Sequence, residues 1–194
     1  MGCKTPGSCG PSAACAMRPF DTFDGIPPHS EGIPGPILKL RQVRADAVVP
    51  AYGSAGAAAF DFTCVDGPWN TWADIGTAQG VQACDMIGGH AYLFATGWEV
   101  EVPPGWVLKI YSRSGHGFRD SVRLSNCVGI IDSDYRGEVM VQLHPDRKGT
   151  TTQVRRGDRI AQGILERVER VNMMVVTQLS QTARGAAGFG STGR

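Results

Sequence analysis

Three carboxylates and a phenol crowd one short stretch of the chain, Val128-Gly-Ile-Ile-Asp-Ser-Asp-Tyr-Arg-Gly-Glu-Val139. Gly129 and Gly137 allow the backbone to bend and to approach a ligand closely. Ile130, Ile131, Val139, Met140 and Val141 are apolar and β-prone, and predict the two arms of a hairpin with Asp132 at its mouth. A carboxylate fixed in that way can take a proton from a water within hydrogen-bond reach, so the chemistry to expect is general-base activation of water. Taken alone, Asp132 and Asp134 would be turn acids that bond their own backbone. Other segments of the chain decide against that.

Four further segments stand in order around this turn: Gly56-Ala-Ala-Ala-Phe-Asp-Phe62, Tyr111-Ser-Arg-Ser-Gly115, Gly157-Asp-Arg-Ile-Ala-Gln162 and Arg184-Gly-Ala-Ala-Gly-Phe-Gly-Ser-Thr-Gly193. Short strings rich in Gly and Ser are common singly; five in one order are not. Together they resemble the ordered motifs of the trimeric dUTPase family, whose members split dUTP into dUMP and pyrophosphate. The resemblance runs from about Ile37 to the last residue. It implies an all-β distorted jelly-roll barrel, a homotrimer with exchanged C-terminal arms, and Mg²⁺ as cofactor. It also implies the service of keeping uracil out of DNA and supplying dUMP for thymidylate synthesis.

The same resemblance distributes roles. Asp132 falls where the family places its water-activating carboxylate, and Tyr135 would lay a flat ring against the sugar, where a 2′-hydroxyl would clash. Asn126 offers an amide donor and acceptor to the uracil edge, beside backbone atoms of Gly129, Ile130 and Ile131 and those near Met140. Arg113, Ser114 and Gly115 match a phosphate-binding trio of guanidinium, hydroxyl and backbone amide. Ser112 stands where many relatives carry Pro, which would make the approach to that turn less rigid. Gln162 is the expected contact to the α-phosphate, with Asp158 and Arg159 a structural ion pair. Asp61 is expected near Mg²⁺, acting through ordered water, since the metal should be held largely by phosphate oxygens.

The end of the chain, Gly188-Phe-Gly-Ser-Thr-Gly193, spells G-x-G-x-x-G, but only Arg194 follows, so it cannot open the helix of a dinucleotide fold. A flexible arm closing over nucleotide is the better account: Phe189 stacks on uracil, while Arg184 with Gly190, Ser191 and Thr192 grips the γ-phosphate. Relatives that deaminate dCTP carry a catalytic Glu on the strand after the turn, where this chain has Gln142, and an amide cannot shuttle that proton. A second alternative is a regulatory protein-binding module on the same scaffold.

Positioning these residues requires many short strands. Among 194 residues are 26 Gly and 12 Pro, which break the apolar runs and predict an all-β sandwich or barrel. Strands are expected at Ile37–Val43, Ala91–Ala95, Trp98–Val102, Trp106–Tyr111, Val139–Leu143, Ile160–Val168 and Val171–Val176. Residues 1–35 read as a flexible tail, 36–178 as the barrel and 179–194 as the arm. A stretch at 66–90 lacks periodicity and suggests a surface insertion. Its Trp69 and Trp72 serve as a local plug or, less expectedly, as a contact for a protein partner.

Nineteen basic residues against 18 acidic ones leave no field for gripping polymeric nucleic acid or an anionic membrane. No apolar run approaches the roughly 20 residues that span a bilayer. The six cysteines form no C-x-x-C pair, so reduced thiols and a cytoplasmic setting, or the host cytoplasm if viral, are expected. Met1-Gly-Cys-Lys-Thr-Pro lacks the Ser or Thr that a myristoylation signal requires at Pro6.

Overall fold

The computed structural model describes residues 35–69 and 83–188. The tail at 1–34, Trp72, and the arm residues Phe189, Gly190, Ser191 and Thr192 lie outside that range.

Twelve strands build the described part. They are β1 (Lys39–Gln42), β2 (Ala51–Tyr52), β3 (Phe60–Thr63), β4 (Asp66–Trp69), β5 (Ala83–Ile87), β6 (Tyr92–Glu101), β7 (Trp106–Tyr111), β8 (Val122–Leu124), β9 (Val128–Ile131), β10 (Glu138–Pro145), β11 (Thr151–Arg155) and β12 (Arg159–Arg167). One sheet runs β1-β6-β10-β8, with β4 also on β6; a second runs β2-β3-β12-β7-β9; β5 and β11 form a separate pair. Every pairing is antiparallel. The fold is all-β and jelly-roll-like, as expected. Among the described residues no helix is long and apolar enough to cross a membrane.

Alternation in the sequence explains the layering. Along β10, Val139, Val141 and Leu143 point inward while Met140 and Gln142 alternate with them. These three join Phe62, Phe94, Leu108, Leu124 and Ile160 in the main core. The long β6 is buried on both faces, because Phe94 and Val100 face that core while Leu93 and Ala95 pack a smaller one with Val65 and Trp69. At 1% exposure Trp69 is a core plug, not an outward contact.

The structure corrects four local expectations. Ala91–Ala95 and Trp98–Val102 form one strand, kinked at Gly97, whose φ of 79° and whose approach to Ala47 leave no room for a Cβ. Within 66–90, Asp66–Trp69 and Ala83–Ile87 are strands; their pairing partners, not internal periodicity, define them. Ile130–Ile131 and Val139–Val141 are not arms of a hairpin: β9 pairs with β7 in one sheet and β10 with β6 and β8 in the other. No strand forms at Val171–Val176, where Met173 is 92% and Val175 100% exposed, since a strand needs a ladder partner and the described residues supply none there.

Candidate functional site

The turn from Asp132 to Gly137 passes from one sheet to the other, and the parting of β9 from β10 leaves a cleft of about 320 Å³. Asn126, Gly129, Ile130, Ile131, Tyr135 and Met140 all line it, joined by Ser125, Glu138 and Gln142. Gly129 lets β9 lie close to β7, since a Cβ there would come within 3.1 Å of the Ile110 Cβ. Asn126 reaches the cleft from a tight turn in which Val128 N–H donates to the Asn126 carbonyl at 2.6 Å and Cys127 takes a φ of 62°.

Tyr135 N–H donates to the Asp132 carbonyl at 3.2 Å, closing the turn. The Arg136 guanidinium donates to the carbonyls of Ser133 and Tyr135 at 2.8 and 2.7 Å. The Tyr135 hydroxyl donates to the Glu138 carbonyl at 3.0 Å, and its ring covers Gly137 so closely that a Cβ there would stand 2.4 Å from the hydroxyl. Burial, reinforced by the carboxylates of Glu138 and Glu99, pushes the Tyr135 phenol upward, so it keeps the proton it donates. Asp132 and Asp134 border a larger opening of about 840 Å³, shared with Ile130, Lys109 and Arg170.

A second group gathers on β3, β12 and the end of β7. Arg113 Nε donates to Asp61 at 2.7 Å, and Arg159 Nη1 donates to the other Asp61 oxygen at 3.1 Å. Arg159 thus pairs with Asp61, while Asp158 accepts from the Arg155 N–H in its own turn at 2.8 Å; the expected Asp158–Arg159 pair is replaced by these contacts. Ser114 and Gly115 begin a short π-helix, Gly115–Asp120. His116 within it lies 2.9 Å from the Arg159 carbonyl through Nε2. Ser112 is held twice, its hydroxyl accepting from Leu124 N–H at 2.9 Å and its carbonyl accepting from Gln162 Nε2 at 2.8 Å. These two bonds anchor the approach to the turn. Gln162 borders an opening with Ala57, Ala58, Ala59, Ser112 and Cys127.

Arg184 stays in the exposed arm and donates to the Ala187 carbonyl at 3.0 Å. The chain therefore brings together the residues expected around base and sugar, and separately Asp61, Arg113, Ser114, Gly115 and Gln162, while Arg184 joins neither group. Sequence reasoning missed Arg44, Glu138, His116 and the pairing of Arg159 with Asp61. Arg44 and Glu138 stand 94 positions apart, and no local pattern links them.

The described residues contain no cluster of three or more His, Cys, Asp or Glu side chains able to cage a metal. Each Asp61 oxygen accepts one arginine hydrogen bond and keeps a second lone pair for a metal-bound water. The donor set thus suits a cation held mainly by substrate phosphates, with Asp61 behind water.

Comparison with known proteins follows the same lines. A family model described as dUTPase matches residues 82–193, which include the turn and the trio but begin after Asp61. The chain is 37% identical over 157 residues to a deoxyuridine 5′-triphosphate nucleotidohydrolase of Wolinella succinogenes, covering 81% of this chain and 94% of that protein. It is 38% identical over 159 residues to the one of Caulobacter vibrioides, covering 80% and 92%. Among solved structures, a Staphylococcus bacteriophage 80alpha dUTPase mutant with dUpNHpp matches at TM-score 0.67 and 18% identity, over 81% of this chain and 99% of that one. A phage phi11 dUTPase mutant from S. aureus, described for its coordination of a structural Mg(II) ion, matches at 0.60 and 17%, over 73% and 97%. At these identities the structural likeness speaks for the fold.

Proposed function

Because the chain belongs to the dUTPase family and is a dUTP diphosphatase, splitting dUTP into dUMP and pyrophosphate, we propose that its two clusters divide the substrate between them. Uracil and deoxyribose enter the cleft between β9 and β10, and the triphosphate meets Arg113, Ser114, Gly115 and Gln162. Asn126 and the backbone of Gly129, Ile130 and Ile131 meet the uracil edge. A cytosine would present a donor where uracil presents an acceptor, leaving buried groups unpaired. Tyr135 lies against the sugar and disfavours ribose.

Asp132 accepts the proton of the water that attacks the α-phosphorus. Arg113 stabilises the phosphate oxygens while its other contact, Asp61, holds the guanidinium in place. Asp61 would hold Mg²⁺ through water, and the metal would supply charge neutralisation to the triphosphate. The arm from Arg184 onward, with Phe189, Gly190, Ser191 and Thr192, covers the bound nucleotide.

The apolar side chains left bare at 171–179 support a homotrimer in which the segment leading into each arm lies on a neighbour. Gln142 lines the base cleft as an amide, which argues against deamination. The burial of Trp69 removes one reason to expect a protein partner on 66–90.

The parting of β9 from β10, whose cleft is lined by Asn126, Ile131 and Tyr135, carries this assignment. Pyrophosphate release measured across dUTP, dTTP, dCTP and UTP tests it. Turnover confined to dUTP is expected; equal turnover of UTP, or ammonia released from dCTP, would refute it.

A further inference from the structure

We propose that Arg44 and Glu138 are positioning residues for the Tyr135 ring, so that a side chain of the N-terminal segment sets the preference for deoxyribose over ribose. This rests on the assignment of Tyr135 to the sugar.

The geometry is a chain of fixed contacts. Arg44 grips the Glu138 carboxylate with two prongs, Nε to Oε1 at 2.8 Å and Nη2 to Oε2 at 3.0 Å. Gly97 N–H donates to the same Oε1 at 2.7 Å, from the kink in β6. Arg44 is itself anchored: Nη1 donates to Asp66 at 3.1 Å, and the guanidinium lies 5.3 Å from the centre of the Trp69 ring. Paired guanidinium–carboxylate bonds of this kind fix orientation as well as distance. The Glu138 bond, followed by the fields of Glu138 and Asp66, raises the Arg44 guanidinium further against its burial.

Residue 138 then passes that order to the cleft, because its own carbonyl receives the Tyr135 hydroxyl at 3.0 Å. The phenol end of the ring is thus held twice, packed against Gly137 and bonded to the carbonyl of residue 138. Removing the guanidinium leaves the Glu138 carboxylate, only 16% exposed, with a single backbone donor. A half-buried carboxylate so deprived turns toward water and carries the start of β10 with it. Rejection of a single hydroxyl depends on where the ring lies, and small displacements at such a site are costly.

The test compares kcat/KM for dUTP and for UTP in the full-length protein and in Arg44→Ala, Glu138→Gln, Tyr135→Phe and Tyr135→Ala, with assembly checked for each. Arg44→Ala should lower the dUTP-to-UTP ratio by about tenfold, the scale of a displaced contact. Tyr135→Phe, which keeps the ring and removes its tether, should do the same. The double variant should be little worse than either, since both cut one path. Should Arg44→Ala fail to assemble, Glu138→Gln reads the same pair. A general loss of stability would lower both efficiencies together and leave the ratio alone. An unchanged ratio in Arg44→Ala or Tyr135→Phe, with the ratio lost in Tyr135→Ala, overturns the positioning role. A ratio kept in Tyr135→Ala overturns the sugar assignment beneath it.

Discussion

A carboxylate acts as a base only where something holds it beside the water it must deprotonate. The backbone of the turn that carries Asp132 is fixed by its neighbours: Tyr135 N–H closes it on the Asp132 carbonyl, and Arg136 ties down Ser133 and Tyr135. Replacing Asp132 by Asn preserves shape and removes basicity. The expected outcome is a fall in kcat of roughly 10²-fold or more with KM little changed, read from steady-state pyrophosphate release; near-normal turnover would take Asp132 out of the mechanism. At this scale the sequence was most legible, since Asn126, Tyr135 and Arg113 are recognisable by type and order. Their partners were not. Asp61 is seen in the sequence as a lone acid, whereas in the fold it is shared by Arg113 and Arg159, which stand 52 and 98 positions away from it in the chain.

Strands turn these side chains into a site by disagreeing about which sheet they belong to. Periodicity predicts that Ile130–Ile131 and Val139–Val141 are strands, which they are, but carries no information about which edge each will meet. A hairpin would have zipped the cleft shut; β9 on β7 and β10 on β6 keep it open. Gly137 is the element-level hinge of this arrangement, and not for its φ. Its Cβ position is occupied by the Tyr135 ring. Gly137→Ala should therefore keep the strand content, as seen by circular dichroism, while displacing the ring and lowering kcat/KM for dUTP by about tenfold. An efficiency equal to that of the parent would mean that the ring does not rest on Gly137 when substrate is bound.

For the whole molecule, one protomer looks unfinished. Apolar residues predict a strand at Val171–Val176, but among the described residues nothing pairs with it. Met173, Met174, Val175 and Leu179 remain exposed at 92, 84, 100 and 81%. Covering a side chain of that kind is worth roughly 1.5–3 kcal/mol, so a segment laid on a neighbour explains what a segment in water does not. If the arm of one subunit completes the site formed by the turn of another, two crippled proteins should repair each other. Asp132→Asn supplies intact arms without a base, and a chain ended before Arg184 supplies intact turns without the closing arm. Each alone should be nearly inactive. Unfolded together in equal amounts and refolded, random assortment places a working turn beside a neighbour's complete arm in about a quarter of the sites, and activity should recover toward that fraction. Mass spectrometry of the intact assembly would confirm that mixed trimers formed. Mixed trimers no more active than their parents would show that each subunit closes its own site.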